Sequence, residues 1–260
     1  MFDFKGKVAL VAGGAGFFGT SICRGLASLG TQIAVADIST EPLARIVAEL
    51  EKEYPDRRFR GQRFDIADEA STKQVVHDTF KHFGRLDILI NATYRSIGKL
   101  VEELSGPEFD TALHASLTGS FLLAREASQV MTEGGSIVIF SSMYGHISPD
   151  PRIYDPPKKL NPNPIEYNAS KAAIEQMTRY LAVHWAKRNI RVNAVAPGPF
   201  PHEDIQQRWP EFIVKLAAKV PLGRIGKQDE VTGAVIYLAS DEASYVTGQV
   251  LNVDGGWCVW

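Results

Sequence analysis

The stretch VALVAGGAGFFG at residues 8–19 decides the fold of this 260-residue chain. It predicts a buried strand, a glycine-rich turn and the start of a helix, because a short continuous apolar run is typical of strands covered on both faces. Gly13, Gly16 and Gly19 permit a tight turn and leave the free N–H groups of a helix N-terminus beside a bound phosphate. The stretch therefore predicts a dinucleotide site at the end of the first strand.

Strands and amphipathic helices alternate outward from this stretch. Six more strand-like segments lie at 32–37, 58–66, 86–92, 136–142, 190–196 and 249–253. Helical patterns cover 20–29, 40–53, 68–83, 105–131 (two helices), 166–187 and 229–239. The alternation predicts βαβ units with right-handed crossovers. We expect an α/β, single-domain Rossmann fold over residues 1–260, with a doubly wound, seven-stranded parallel sheet flanked by helices.

Two proline-rich segments interrupt the alternation. Six of the 14 prolines fall within 149–164, and four more stand at positions 197, 199, 201 and 210. Proline removes a backbone donor and breaks regular elements, so we expect both segments to be irregular. We interpret 143–165 as a Pro-rich insert and 199–222 as a substrate lid, since long irregular segments inside a domain are usually binding loops.

Composition and charge exclude several classes of protein. The 28 Lys and Arg residues nearly balance the 30 Asp and Glu residues, unlike the basic surface of nucleic-acid-binding proteins. No apolar run approaches the roughly 18 residues that cross a membrane, and the N-terminal residues lack the apolar core of a secretory signal. Two cysteines, Cys23 and Cys258, cannot build a disulfide scaffold or a zinc site. We expect a cytoplasmic protein that binds no metal, nucleic acid or membrane.

Asp37 ends the second predicted strand, shortly after the glycine-rich turn. A carboxylate at this position can accept hydrogen bonds from the adenosine ribose of a dinucleotide, whereas its charge repels a 2′-phosphate. The turn contains no Arg or Lys to pair with such a phosphate, and Ile38 follows the aspartate. The sequence therefore favours NAD(H) over NADP(H).

Tyr167 and Lys171 lie four residues apart on the helix predicted at 166–187, so their side chains share one face. A phenol is a poor base at neutral pH because its reference pKa is about 10. An ammonium about 4 Å away favours the phenolate by roughly 4 kcal/mol at an effective dielectric of about 20. We therefore predict that Lys171 lowers the pKa of Tyr167 by about 3, into the range of a general acid/base.

Eight motifs are spread along the chain: AGGAGFFG (12–19), FDIAD (64–68), INA (90–92), SSM (141–143), YNASK (167–171), RVNAVAPG (191–198), PLGRIG (221–226) and VTGQVLNVDGG (246–256). Together they resemble the classical short-chain dehydrogenases/reductases nearly from end to end. The resemblance implies an NAD(P)-dependent oxidoreductase that forms a homotetramer or homodimer. It also implies that Tyr167 exchanges a proton with a hydroxyl/carbonyl couple, Lys171 holds the nicotinamide ribose and Ser142 bonds the substrate oxygen.

The same resemblance assigns the cofactor contacts. Asp65 would meet the adenine, Asn91 would line the cofactor channel, and Pro197 and Gly198 would pass beside the nicotinamide. The whole predicted set is Gly13, Gly16, Phe18, Gly19, Asp37, Ile38, Asp65, Ile66, Asn91, Ala92, Tyr167, Lys171, Pro197, Gly198 and Phe200.

Four residues depart from the family pattern. Phe17 replaces a glycine, which gives the loop the G-x-x-G-x-x-G spacing of the extended subgroup. Ser116 replaces the asparagine that helps to hold a water of the proton relay, and we place Ser116 in the catalytic set. Thr93 replaces the glycine of the usual N-A-G turn, and His202 stands where a cofactor-binding threonine is common.

The Pro-rich insert lengthens the interval between Ser142 and Tyr167 beyond the usual one. We interpret it first as a substrate wall, second as an oligomer contact and third as a rigid surface loop. Aromatic faces with scattered charges suit a small polar, sugar-derived substrate. The predicted substrate contacts are Tyr94, Arg95, Tyr144, Arg152, Tyr154, Phe200 and Trp209.

Three functional hypotheses stay open. The favoured one is an NAD(H)-dependent oxidoreductase that interconverts a secondary alcohol and a ketone, with Tyr167 as general acid/base. The second is an NADPH-dependent 3-oxoacyl or ketone reductase. The third is a cofactor-binding homologue without activity, supported only by Phe17 and Ser116. The apolar C-terminal run 246–260 also predicts self-association.

Overall fold

Seven parallel strands form one sheet in a computed structural model that describes residues 2–154 and 160–260. Their order in the sheet is β3-β2-β1-β4-β5-β6-β7. The predicted Rossmann fold, with its doubly wound seven-stranded parallel sheet, is therefore confirmed. The strands are β1 (Val8–Ala12), β2 (Gln32–Asp37), β3 (Phe59–Arg63), β4 (Ile88–Asn91), β5 (Gly135–Phe140), β6 (Ile190–Pro197) and β7 (Val250–Val253).

Helices cover both faces of this sheet. Within the described residues they are α1 (Phe17–Ser28), α2 (Thr40–Glu53), α3 (Glu69–Phe83), α4 (Gly106–Leu113), α5 (Gly119–Val130), α6 (Ile165–Trp185), α7 (Glu203–Arg208), α8 (Pro210–Lys219) and α9 (Glu230–Ala239). A π-helical stretch, His114–Thr118, joins α4 to α5. No helix in the described part of the chain is both long and apolar enough to cross a membrane.

The continuous apolar runs of the strands reflect burial on both sheet faces. Along β1, Ala9 and Val11 pack into one core, whereas Leu10 and Ala12 pack into the other. The first core is closed by α1, α2 and α9, and the second by α3, α5 and α6. Both faces of β1 are therefore buried, and the glycine loop begins directly at the end of this buried strand.

From its prolines we expected the predicted lid to be irregular. The structure differs, because this segment contains the helices α7 and α8. Pro210 begins α8, because the first turn of a helix needs no N–H from that residue. The Pro-rich insert likewise contains a short 3₁₀ turn at Pro151–Ile153. The part of the insert at 155–159 lies outside the described residues.

The insert and the lid pack against each other. Ile153 of the insert and Leu216 of α8 share a buried cluster with Trp257 near the C-terminus. Lys219 of α8 also contacts the Asp150 carboxylate at 3.0 Å. The two segments, whose contacting residues Asp150 and Lys219 are 69 positions apart in the sequence, therefore form one packed layer beside the sheet.

Candidate active site

A cavity of about 920 Å³ lies where the strand order reverses, between β1 and β4. Doubly wound sheets bind ligands at this switch point, because neighbouring crossovers leave the sheet on opposite sides there. The cavity is lined at the ends of four neighbouring strands by Gly13, Asp37, Asp65 and Ala92. Its volume lies within the usual range of pockets that hold cofactors and small molecules, about 300–1,000 Å³.

The glycine loop fits a pyrophosphate. Gly13 has φ +76°, and a Cβ there would lie 3.0 Å from the Ala92 carbonyl carbon. A Cβ at Gly19 would overlap the Gly13 carbonyl oxygen. No side chain caps the N-terminus of α1, so its first N–H groups can bind an anion. The loop is thus packed so closely that only glycine fits, and it points a helix N-terminus at the cavity.

Two departures from the family pattern meet beside this loop. Phe17 begins α1, and its ring centroid lies 4.4 Å from that of the His202 imidazole. Phe17 also packs edge-on against Phe18, at 5.0 Å between centroids. Both Phe17 and His202 line the cavity, so the two unusual residues form one aromatic contact at the phosphate end.

Asp37 ends β2 with its carboxylate at the cavity wall and only 9 % of the residue exposed. One carboxylate oxygen accepts a hydrogen bond from the Ala15 N–H at 3.1 Å, and the other accepts from the Ser39 N–H at 3.0 Å. Two backbone donors therefore fix the carboxylate at the position predicted for ribose binding.

Nearly the whole predicted cofactor set lines this cavity, and Asn91 is the exception. The Asn91 amide donates to the Ser120 hydroxyl at 2.9 Å, and its oxygen accepts from the Thr93 N–H and hydroxyl. The asparagine braces the turn after β4, which corrects its predicted place in the channel. The predicted residues that do line the cavity are Gly13, Gly16, Phe18, Gly19, Asp37, Ile38, Asp65, Ile66, Ala92, Tyr167, Lys171, Pro197, Gly198 and Phe200.

Ser142, Tyr167 and Lys171 line the other part of the same cavity. Ser142 follows β5, and the other two side chains lie one turn apart on α6. The Lys171 ammonium nitrogen donates to the Phe140 carbonyl at 2.7 Å and lies 5.4 Å from the Tyr167 ring centroid. The strand end and the helix thus bring the three predicted catalytic side chains together.

Burial dominates the proton affinities of these groups. It raises the pKa of Tyr167 to about 12, although a hydrogen bond from Ser142 acts in the opposite direction. Burial also lowers the pKa of Lys171 to about 7. The predicted decrease in the pKa of Tyr167 is therefore wrong in direction, because desolvation raises this pKa and also makes the Lys171 amine easier to neutralise.

Ser116 does not lie among the residues that line the cavity. It is fully buried in the π-helical stretch, where its hydroxyl donates to the Arg95 carbonyl and accepts from the Arg95 N–H, both at 3.0 Å. The hydroxyl proton of Ser116 is therefore already donated to the Arg95 carbonyl oxygen. This placement corrects the expected one, since the side chain holds the loop after β4 and does not face the reacting atoms.

Two of the predicted substrate residues that precede the insert, Tyr94 and Arg95, line the cavity. Tyr144 and Tyr154 do not, because their hydroxyls pair with each other at 2.6 Å within the packed layer. Burial raises the pKa of both phenols.

Two further predicted contacts also lie away from this cavity. Arg152 pairs with Asp150 at 2.8 Å, and Trp209 stands at the junction of α7 and α8. Together with the paired tyrosines, four of the predicted substrate contacts therefore lie outside the lining of this cavity.

Several lining residues escaped sequence reasoning. Phe140 ends β5, and Phe64 and Ser141 directly follow strands, so the strand-end rule alone could have found them. Asn163 and Pro164 lie just before α6. The buried Glu166 gave no signal, since a glutamate in the first turn of a helix is ordinarily exposed. Among the described residues, no cluster of His, Cys, Asp or Glu is placed to hold a metal ion.

Comparison with known proteins covers almost the whole chain. A family model described as Enoyl-(Acyl carrier protein) reductase matches residues 14–258. The chain is 36% identical over 255 residues to the 3-oxoacyl-[acyl-carrier-protein] reductase FabG of Thermotoga maritima, covering 97% of this chain and 98% of that protein. It is 33% identical over 267 residues to the D-threitol dehydrogenase of Mycolicibacterium smegmatis, covering 99% and 96%.

A solved structure agrees with these sequence matches. The crystal structure of a short-chain type dehydrogenase/reductase from Mycobacterium marinum superimposes with a TM-score of 0.86 at 30% identity, covering 98% of this chain and 97% of that chain. Fold, site and relatives define a Rossmann-type oxidoreductase of the kind that binds NAD(P). The chain belongs to the short-chain dehydrogenase/reductase family.

Proposed function

We propose that this enzyme uses NAD(H) to interconvert a secondary alcohol and a ketone on a small polar, sugar-derived substrate. One observation carries the proposal: Ser142, Tyr167 and Lys171 share a single cavity with the glycine loop and Asp37. A hydroxyl/carbonyl couple beside the tyrosine would therefore lie in the same space as a dinucleotide held by the loop.

The cofactor end of the site accounts for dinucleotide binding. The glycine loop and the N-terminus of α1 would hold the pyrophosphate. Asp37 would accept hydrogen bonds from the adenosine ribose and repel a 2′-phosphate, which supports NAD(H). When bound, the nicotinamide supplies the hydride acceptor or donor.

The catalytic end accounts for proton transfer. Because burial raises the pKa of Tyr167 to about 12, the phenol is protonated at neutral pH and can donate to a carbonyl oxygen. Ser142 would donate a second hydrogen bond to the same oxygen. In the oxidative direction the Tyr167 phenolate, which is more populated at higher pH, would take the proton from the substrate hydroxyl. One N–H of the Lys171 ammonium bonds the Phe140 carbonyl oxygen. The remaining N–H groups would hold the nicotinamide ribose.

Polar side chains form part of the cavity wall that a substrate would meet. Tyr94, Arg95, Ser96 and Asn163 line the cavity near the catalytic tyrosine. The Tyr94 hydroxyl and the Arg95 guanidinium could form hydrogen bonds with a polyhydroxylated molecule, whereas a steroid or a long acyl chain would not use them. Similarity to a D-threitol dehydrogenase supports a polyol or its ketone as substrate.

The first experiment compares NADH and NADPH binding by fluorescence titration and then measures turnover with D-threitol, xylitol, mannitol and the matching ketoses. Tighter binding of NADH, with turnover of at least one of these compounds, is the expected result. Tight NADH binding without turnover of any secondary alcohol or ketone would instead favour the non-catalytic homologue.

An NADPH-dependent 3-oxoacyl reductase is the second candidate. Its support is the 36% identity to a 3-oxoacyl-[acyl-carrier-protein] reductase. Preferential binding of NADPH, together with reduction of a 3-oxoacyl thioester, would establish this activity and overturn the NAD(H) assignment.

We also propose that the enzyme is a cytoplasmic homotetramer or homodimer. Large apolar side chains are exposed on α6, at Tyr180 and Val183, and at the C-terminal Val259 and Trp260, and exposed apolar groups of this kind mark contact surfaces. Both cysteines are free thiols, in keeping with a reducing compartment. Sedimentation of a monomer at micromolar concentration would overturn the oligomer.

A further inference from the structure

The loop at residues 93–98, here called the β4 loop, is tied to the protein at three places. It follows β4 and crosses the catalytic pair. At its start, the Asn91 side-chain oxygen accepts from the Thr93 N–H at 3.1 Å and from the Thr93 hydroxyl at 2.7 Å. A glycine at this position could not make the second bond, so this departure from the family pattern adds a tether.

Ser116 supplies the second tether. Its hydroxyl occupies both backbone polar groups of Arg95, each at 3.0 Å. The residue before Arg95 is Tyr94, so this pair of bonds fixes the backbone that carries the Tyr94 ring. Two of the four departures from the family pattern thus hold the same loop.

Glu166 supplies the third tether, from the residue before the catalytic tyrosine. Its Oε1 atom accepts from the Ser96 hydroxyl at 3.0 Å, the Ile97 N–H at 2.9 Å and the Gly98 N–H at 3.3 Å. The residue is fully buried, and its other oxygen has no hydrogen-bond partner among the described residues. Burying a carboxylate with one unpaired oxygen is unfavourable, and the positive end of α6 offsets only part of that.

The tethers fix the ring of Tyr94 against the catalytic pair. This ring lies edge-on to the Tyr167 ring at 5.6 Å between centroids, and the Lys171 ammonium nitrogen lies 5.9 Å from its centroid. Tyr94 is 59 % exposed and lines the cavity. Its ring is therefore positioned both to cover the pair and to meet a ligand.

We propose that Tyr94 is a substrate-contacting residue, and that Glu166 and Ser116 are positioning residues that hold it over Tyr167 and Lys171. The inference rests on the proposed function and names the part of the site that reads the substrate. The flat ring packs against the carbon chain beside the reacting carbon, and its hydroxyl edge reaches the polar substituents. Substrates with a bulky group at that position are excluded by the ring.

Kinetics of Tyr94 variants test the contact, with the best substrate of the polyol and ketose panel. Tyr94→Ala is expected to raise KM about tenfold with a change in kcat of less than about threefold, because substrate binding is lost and the reacting groups remain. Tyr94→Phe keeps the ring and is expected to restore most of the affinity. Tyr245→Ala, at a fully exposed tyrosine, is the matched control and should leave KM unchanged.

A double-mutant cycle separates positioning from general destabilisation. If Glu166 acts through Tyr94, Glu166→Gln raises KM in the native background but adds little in the Tyr94→Ala background. Ser116→Ala, a smaller change, should show the same pattern. Effects that simply add, or that fall on kcat alone, would contradict the positioning role.

Amide hydrogen exchange tests the tethers without any substrate or cofactor. Segment 93–98 should exchange faster in Ser116→Ala and Glu166→Gln, because the N–H groups of Arg95, Ile97 and Gly98 lose or weaken their acceptors, while β6 stays protected. Equal exchange in native and variant proteins overturns the tethers. If the native enzyme turns over its substrate and the Tyr94→Ala and Tyr245→Ala variants have the same KM, the substrate contact of Tyr94 is wrong while the proposed function stands. If nothing is turned over, the proposed function fails, and exchange still decides the tethers.

Discussion

The side-chain nitrogen of Lys171 lies 5.4 Å from the centroid of the Tyr167 ring, one turn further along α6. Both groups are withdrawn from water, and burial moves the pKa of Tyr167 up to about 12 and that of Lys171 down to about 7. Desolvation, rather than mutual attraction, therefore sets their proton affinities.

Replacing Lys171 by Met should remove a pH dependence of stability. The unfolded lysine keeps its proton up to about pH 10.5, whereas the folded one releases it near pH 7. Between these values the unfolded state binds more protons, so the contribution of Lys171 to stability rises with pH and is lowest below pH 7. Its slope is at most about 1.4 kcal/mol per pH unit. Urea unfolding of both proteins at pH 7, 8 and 9 measures it, and a constant difference would contradict the prediction.

Ser142→Ala should move the pH profile of alcohol oxidation to higher pH. The Ser142 hydroxyl lowers the pKa of Tyr167 by stabilising the phenolate, and a hydrogen bond to a charged group is worth about 1.5–3 kcal/mol. The rise of kcat/KM with pH is therefore expected about 1–2 pH units later in the variant. A lower rate with the same profile would mean that Ser142 contacts only the substrate.

Gly19→Ala should weaken both folding and dinucleotide binding. The new methyl group would overlap the Gly13 carbonyl oxygen, and overpacking of this kind costs about 1–3 kcal/mol. Gly233→Ala in α9 is the matched control, since a Cβ there meets nothing within 4 Å. It should be neutral or stabilising by up to about 1 kcal/mol. Equal unfolding midpoints for the two variants would argue against a closely packed loop.

Asp37→Ser should change the cofactor preference. Loss of the carboxylate removes hydrogen bonds to the ribose and the repulsion of a 2′-phosphate. NADH affinity should fall about tenfold, the equivalent of about 1.4 kcal/mol, while NADPH affinity rises. Glu41→Ser, at an exposed carboxylate on α2, makes the same change in charge away from the cavity. If both variants keep the native ratio of affinities, Asp37 does not contact the ribose.

The sequence is most informative where local pattern and burial agree. The bounds of β2 and α2 match the predicted 32–37 and 40–53, because an apolar run and a one-sided row of Leu43, Ile46 and Leu50 leave no alternative. The glycine loop, Asp37 and the YNASK motif place the cofactor and catalytic ends for the same reason, since each sits at a strand end or on a single helix face.

The site features that the sequence did not predict depend on contacts between residues that are far apart along the chain. Asn91 turns away from the channel because Ser120 accepts its amide, and Tyr144 turns away because Tyr154 takes its hydroxyl. The lid looked irregular because proline at a helix start and proline as a helix breaker look alike in sequence. The raised pKa of Tyr167 depends on burial depth, which spacing along a helix does not reveal.

The most direct test of the proposed reaction is the Tyr167→Phe variant, measured for both NADH binding and turnover. The variant lacks only the phenolic hydroxyl, so NADH should bind with native affinity while kcat falls by about 10²–10⁴, the usual contribution of a positioned general acid/base. Retained binding with that loss of turnover would establish Tyr167 as the proton donor. Native turnover in the variant would show that the reaction does not run through this tyrosine and would contradict the account.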